Sequence, residues 1–340
     1  MIGMFDTRVM LAALEQRLAP TMFLRDTFFS RARNFDSAMV DIDIVQGKRR
    51  VAAYVSPLQE GTVVTRDGYK ATSYAPPYVK PKIPTSAADI LKRSAGEGVY
   101  GAMSPQERAA LQLATDLENL DDMITRAEEV QAAQALFTGQ VILRDANDAL
   151  VYPMQSTHKV TLTGTSLWTD TTNSNPLAKL RELKRIIQQD SGLNPTKIIM
   201  GSSAWDAFLA HPKVSGNNGL ISTIKADLGQ ITPSTLPGGV TYQGYLRDPG
   251  VDIYTYDSWY RDLSDTEQPL VPVDKILLIS DDVRFDRCYG VIQDTKALYA
   301  VPRFPKSWEE EDPAVRWLML QSAPLLVPTQ VDGYVFAKVV

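Results

Sequence analysis

Acid–base and metal chemistry need side chains that titrate or coordinate near neutral pH, and this sequence offers few of them. It has two histidines, His158 and His211, and one cysteine, Cys288. A lone cysteine cannot form an internal disulfide or supply a cysteine-rich metal site, and it fits a reducing compartment. His158 sits in Gln155-Ser-Thr-His-Lys-Val-Thr-Leu-Thr163, whose polar–apolar alternation predicts a half-exposed strand. His211 sits in Phe208-Leu-Ala-His-Pro212, where proline stops a helix and an imidazole complements the helix dipole. The sequence contains no glycine-rich phosphate loop, no Gly-x-Ser-x-Gly elbow and no His-x-x-x-His spacing. No cofactor and no metal are therefore expected.

Carboxylates are plentiful, so a two-carboxylate hydrolase is the chemistry to weigh. The candidates are Asp121-Asp122, Asp281-Asp282, Glu309-Glu-Glu-Asp312, and Asp41 with Asp43. A hydrolase would pair Glu309 to Asp312 with Asp281 or Asp282. Pattern argues otherwise. Asp121 and Asp122 fall on the polar side of a long helix. Asp281 and Asp282 follow the apolar run Ile276-Leu-Leu-Ile-Ser280, as acidic turn residues do. Asp41 and Asp43 alternate with Val40, Ile42 and Ile44, the pattern of a strand with one wet face. No active site emerges, and the chain is not expected to be an enzyme.

The elements that position these residues carry more information. The chain is 340 residues long, 44% apolar and 22% charged, with a net charge of −5. That is the balance of a globular protein, with length for two medium domains or one domain with large insertions. Met1 to Arg17 lack the features of a secretory signal, and no apolar run could span a bilayer. The longest basic tract, Lys48-Arg49-Arg50, is too short for a broad grip on nucleic acid.

Val9, Leu11, Leu14 and Leu18 predict a short amphipathic helix closed by Pro20. Met22-Phe-Leu-Arg-Asp-Thr-Phe-Phe29 is an aromatic anchor that docks either on another molecule or on the chain's own core. Strands are predicted at Val40–Val45 and Arg50–Val55, with an extended run at Gly61–Thr65 leading to Arg66-Asp-Gly-Tyr69. Prolines at 57, 76, 77 and 81 bar their neighbours from the middle of a sheet. Arms of about a dozen residues at roughly 3.3 Å each reach on the order of 40 Å. The segment is rich in tyrosine and valine, so either it packs on its own domain or a neighbouring copy covers it.

Ser104-Pro-Gln-Glu107 is a capping box with proline at the first helical position, and Gly139 supplies the stop. Leu113, Leu117, Leu120, Ile124 and Ala127 form an apolar stripe between them, with acids and amides opposite. The helix so predicted is about 50 Å long, a spine laid across a sheet. A hairpin is predicted around Asp145 to Asp148, and a boundary in the Thr/Ser/Asn-rich stretch Gly164–Asn175. Beyond it lie a helix opening at Asn175-Pro176, a buried strand at Pro195–Met200, a helix at Ser203–Leu209, and strands at Val240–Leu246, Val251–Tyr256, Lys275–Ile279 and Arg287–Ile292. The tail returns to strands at Trp317–Leu320, Pro324–Pro328 and Tyr334–Phe336.

Local motifs then add a likeness. Phe23-Leu-Arg25, Tyr54-Val-Ser-Pro57, Tyr78-Val-Lys-Pro-Lys82 and Tyr289-Gly-Val-Ile-Gln-Asp294 occur in that order. They are followed by Arg303-Phe-Pro-Lys-Ser-Trp308, Asp312-Pro-Ala314 and Gln321-Ser-Ala-Pro324. With the element order, they resemble the phage lambda major capsid family and its HK-97-like tailed-phage shell fold. The resemblance implies an α+β fold with an N-terminal arm (1–35) and an extended β-hairpin loop (36–82). It further implies a peripheral β-sheet domain (83–172 and 300–340) holding the spine helix at about 104–138, and an inserted α+β axial domain (173–299).

The implied function is a major capsid protein of a tailed double-stranded DNA phage. It would assemble with itself into hexamers and pentamers of an icosahedral shell in the bacterial host cytoplasm, and reside in the virion. The implied partners are a separate scaffolding protein, a portal protein and a small decoration protein at three-fold sites. DNA would be enclosed without sequence-specific binding, and no membrane is involved. The subunit-interface residues so singled out are Phe23, Phe28, Tyr54, Val55, Pro57, Val63, Val64, Tyr69, Tyr74, Pro77, Tyr78, Lys80, Arg303 and Trp308. The alternatives are an encapsulin-type shell, the carboxylate hydrolase above, and a small-molecule-binding or tail-associated structural protein.

Overall fold

Strict alternation organises the centre of the molecule. In Lys275–Ile279, Ile276 and Leu278 enter one core while Leu277 and Ile279 enter another. Tyr334–Lys338 repeats the pattern: Val335 and Ala337 face one way, Tyr334 and Phe336 the other. Strands buried on both faces read as unbroken apolar runs, which is why Lys-Ile-Leu-Leu-Ile is visible in the sequence. These strands lie in a seven-stranded mixed sheet ordered 159–161, 334–338, 275–279, 197–200, 251–256, 240–246 and 234–236. The computed structural model describes residues 5–16, 21–37, 39–45, 69–92, 103–143, 149–215, 234–262, 264–294, 299–312 and 314–340.

One face of this sheet is covered by the helices Pro176–Asp190 and Ser202–Ala210 through Leu180, Leu183, Ile187 and Phe208. The other receives the second half of the long helix, Pro105–Thr138, through Ala132, Ala133, Leu136 and Phe137. The first half of that helix packs elsewhere. Leu117, Leu120 and Ile124 meet Met10 of the helix Thr7–Gln16 and Leu318 and Leu320 of a second, three-stranded antiparallel sheet. That sheet comprises Lys82–Ser86, Phe304–Glu310 and Val315–Gln321. One rod therefore spans two cores, and its ends are set locally. Ser104 and Glu107 exchange both capping-box bonds at 3.2 and 2.7 Å, and Gly139 closes the helix in the left-handed region.

Several expectations need correction. Acids were expected opposite the apolar stripe, yet Asp116, Asp121, Glu128 and Glu129 are all buried. Asp121 thus leaves the polar side assigned to it, because an arginine distant in sequence compensates its charge. His158 does not sit in a half-exposed strand. It ends a single 3-10 turn, Ser156–His158, and only Lys159–Thr161 is strand. Its buried ring bridges the Tyr334 carbonyl at 2.7 Å and Asp190 at 2.9 Å. His211 caps a helix end as expected, but as a neutral ring: its Nδ1 accepts from the Lys213 amide, and burial lowers its pKa.

Other strands extend the reading. Arg31–Asn34, not foreseen, pairs in parallel with Asp286–Tyr289. Val40–Val45 pairs antiparallel with Tyr69–Tyr74, from Val40 opposite Tyr74 to Val45 opposite Tyr69. The expected strands at 50–55 and 61–65 lie outside the described residues. The ladder from Lys275–Ile279 to Tyr334–Lys338 joins the tail's last strand to the sheet of residues 173–299, not to the strands at 304–321.

Candidate functional site

The best-formed polar constellation fastens the N-terminal region to the long helix. Glu129 accepts from the backbone amides of Leu24 and Arg25, both at 2.8 Å, and from the Tyr256 hydroxyl at 2.9 Å. It thereby satisfies orphan donors at the start of the helix Phe23–Phe28, which has no cap of its own. Burial still raises its pKa above the ordinary range, since those bonds only partly offset desolvation. Glu128 meets Arg303 at 2.8 Å and Arg25 and Tyr289 at 3.1 Å. Arg303 also grips Asp121 at 2.7 Å and Thr125 at 3.2 Å. Desolvation opposes the charge on Arg303, but these carboxylates outweigh it and raise its pKa. Five chain segments converge here, at 22–28, 121–129, 256, 289 and 303.

A second constellation is open. Tyr78, Lys80, Lys82, Gln293, Asp294, Trp308, Met319 and Gln321 line a cleft of about 570 Å³ on the three-stranded sheet. Tyr78 donates to Gln321 at 2.5 Å, and burial beside Asp294 raises its pKa. Asp294 is neutralised by Lys306 at 2.5 Å. Trp308 stacks on its cross-strand partner Trp317, ring centres 6.4 Å apart, and Lys82 lies 4.2 Å above the Trp317 ring. Lys80 stands exposed at the rim, 5.9 Å from the Tyr78 ring. The result is an aromatic floor with a cationic rim.

The structure thus brings together Tyr78, Lys80 and Trp308 of the expected interface residues, and puts Arg303 in the buried network instead. Phe28 and Tyr74 are enclosed by the chain's own core, and Phe23 packs on Tyr254 and Tyr256 at 5.6 and 5.9 Å. Pro77 is half-buried. Tyr69 opens its strand, and Tyr54, Val55, Pro57, Val63 and Val64 lie outside the described residues. Sequence reasoning missed Glu128 and Glu129 entirely. The available signal was helical spacing: Glu128 stands four residues after Ile124, and Ala132, Ala133 and Leu136 follow Glu129 by three, four and seven.

The carboxylates weighed for hydrolysis do not converge. Asp281 pairs with Lys197 and Thr196, while Glu309 pairs with Arg316 across its own hairpin. Among the described residues, no group of three or more His, Cys, Asp or Glu could hold a metal ion, and no helix is long and apolar enough to cross a membrane.

Comparison with known proteins extends over nearly the whole chain. The model of the family described as phage major capsid protein E matches residues 6–339. The major capsid protein of Enterobacteria phage P21 is 28% identical over 352 aligned positions, covering 99% of this chain and 100% of that one. That of Escherichia phage lambda is 27% identical, with 98% of each covered. Among solved structures, a protein assigned as a prophage capsid protein from Escherichia coli CFT073 superimposes with a TM-score of 0.70. It is 20% identical and covers 98% of this chain and 99% of its own.

Proposed function

We infer function from membership: the chain belongs to the phage major capsid protein E family, and it is a major capsid protein that builds a phage head from many copies of itself. The observation that carries this is the end-to-end match, residues 6–339, together with a fold shared along the full length of a capsid-like chain. The role is structural. A subunit of this kind acts by presenting several moderate contact surfaces, which a closed shell multiplies. Heterologous contacts repeated by rotation close into rings.

The finer reading has the rings as hexamers and pentamers of an icosahedral shell around double-stranded DNA, assembled in the host cytoplasm. A separate scaffolding protein, a portal protein and a decoration protein at three-fold sites belong to the same reading. So does the division into arm (1–35), loop (36–82), peripheral domain (83–172 and 300–340) and axial domain (173–299). Hydrogen bonding of 334–338 to 275–279 favours counting the last strand with the axial unit. The relatives named for phage heads favour a genome container over a shell enclosing enzymes. Negative-stain electron microscopy of the purified chain, with and without a co-expressed scaffold, tests the proposal. Hollow polyhedra are expected; a protein that stays monomeric under both conditions would refute it.

A further inference from the structure

Two features of opposite charge adjoin the strand Phe304–Glu310 and its partner Val315–Gln321, and among the described residues they are not paired with each other. At one end is the cleft, with Lys80 and Lys82 on its rim. Among the described residues neither lysine has a carboxylate partner; their contacts are with the rings of Tyr78 and Trp317. At the other end is the hairpin tip, where Glu309, Glu310, Glu311 and Asp312 are all exposed. Among the described residues, Glu309 alone is paired there, with Arg316.

A continuous ladder runs from Phe304 opposite Gln321 to Glu310 opposite Val315. Side chains alternate along it, so Glu310 shares the face of Lys306 and Trp308, the face that opens into the cleft. Glu311 and Asp312 lie exposed in the turn that follows, beyond the last ladder pair of the strand. An acidic prong and a cationic socket thus adjoin one sheet, complementary in charge.

We propose that the socket receives the hairpin tip of a second copy of this chain, with Glu310, Glu311 and Asp312 of one copy paired to Lys80 and Lys82 of the next. The proposal rests on the capsid reading and specifies one of its contacts. Prong and socket are different patches, so the contact is heterologous and passes round a ring from copy to copy. The aromatic floor of Tyr78 and Trp308 would shield the pairs from solvent, and Lys306 already neutralises Asp294, leaving the lysines without a carboxylate partner among the described residues.

Charge reversal in the full-length chain tests it. Lys80→Glu with Lys82→Glu, and separately Glu310→Lys with Glu311→Lys, should each lower the yield of closed particles at least about tenfold while the unassembled chain melts as the parent does. Combining all four changes should restore assembly. Lys80→Cys and Glu311→Cys chains, mixed under mild oxidation, should form a covalent dimer; Cys288 is buried and will not compete. This pair decides the matter if the lysine variant fails to fold. Equal particle yield from the lysine variant, no recovery in the combined variant, or particles without the cross-link would overturn the contact alone. Failure of the unaltered chain to form particles would overturn the capsid reading with it. Loss of duplex DNA binding with assembly unchanged would reassign the lysines to nucleic acid.

Discussion

Glu129 acts as a cap supplied from a hundred residues away. Its two oxygens hold the start of a six-residue helix that no local side chain caps, so the attachment of the N-terminal region depends on one buried carboxylate. Arg303 plays the matching part for Glu128 and Asp121. Replacing it with methionine should destabilise the chain by about 3 kcal/mol in urea titration, because two enclosed carboxylates lose their shared cation. A change below about 0.5 kcal/mol would mean that solvent reaches the network. His211 makes a pH argument. Burial and Lys213 hold its pKa below the ordinary 6.5, so the fold favours the neutral ring. Its stabilising contribution is complete above that value and is lost as pH falls through it towards the lower folded-state value. The melting temperature should therefore fall less between pH 7 and pH 5 in His211→Gln than in the parent; parallel curves would contradict this.

At the scale of elements, what was legible in the sequence was what local rules determine. The capping box at Ser104, the proline after it and Gly139 mark the long helix to within a residue, because caps are short-range devices. Alternating or unbroken apolar runs marked most strands of the large sheet for the same reason. Illegible elements depend on distant partners. Arg31–Asn34 has no buried side chain and becomes a strand only by pairing with Asp286–Tyr289. The inward acids of the helix look solvated until Arg25 and Arg303 arrive from elsewhere. The cleft was half visible: its lining comes largely from quoted motifs, but no pattern in one segment reveals that four segments meet. Ser104→Ala should cost about 1 kcal/mol in thermal or urea unfolding. Gly201→Ala should cost about 2 kcal/mol, since the added Cβ would stand 2.3 Å from the Pro272 carbonyl oxygen. If the alanine at 201 were neutral, the strand-to-helix turn there would have to be more yielding than its packing indicates.

At the scale of the whole molecule, fold and assembly separate. The ribbon of Val40–Val45 and Tyr69–Tyr74 closes against the chain's own core through Val40 and Tyr74. Replacing residues 50–65 with a short glycine–serine linker should therefore leave the melting temperature of the subunit within a few degrees of the parent while abolishing particles in electron micrographs. Normal particles from that variant would remove the loop from the assembly scheme. The sheet has a consequence of another kind. Tyr334–Lys338 lies between Lys159–Thr161 and Lys275–Ile279, yet leaves the ribosome after every other strand of that sheet. Until it arrives, Ile276 to Ile279 present an unpaired apolar edge, so a nascent chain is sticky but not yet a subunit. A chain lacking Tyr334–Lys338 would therefore keep an open apolar edge on the large sheet and aggregate rather than assemble.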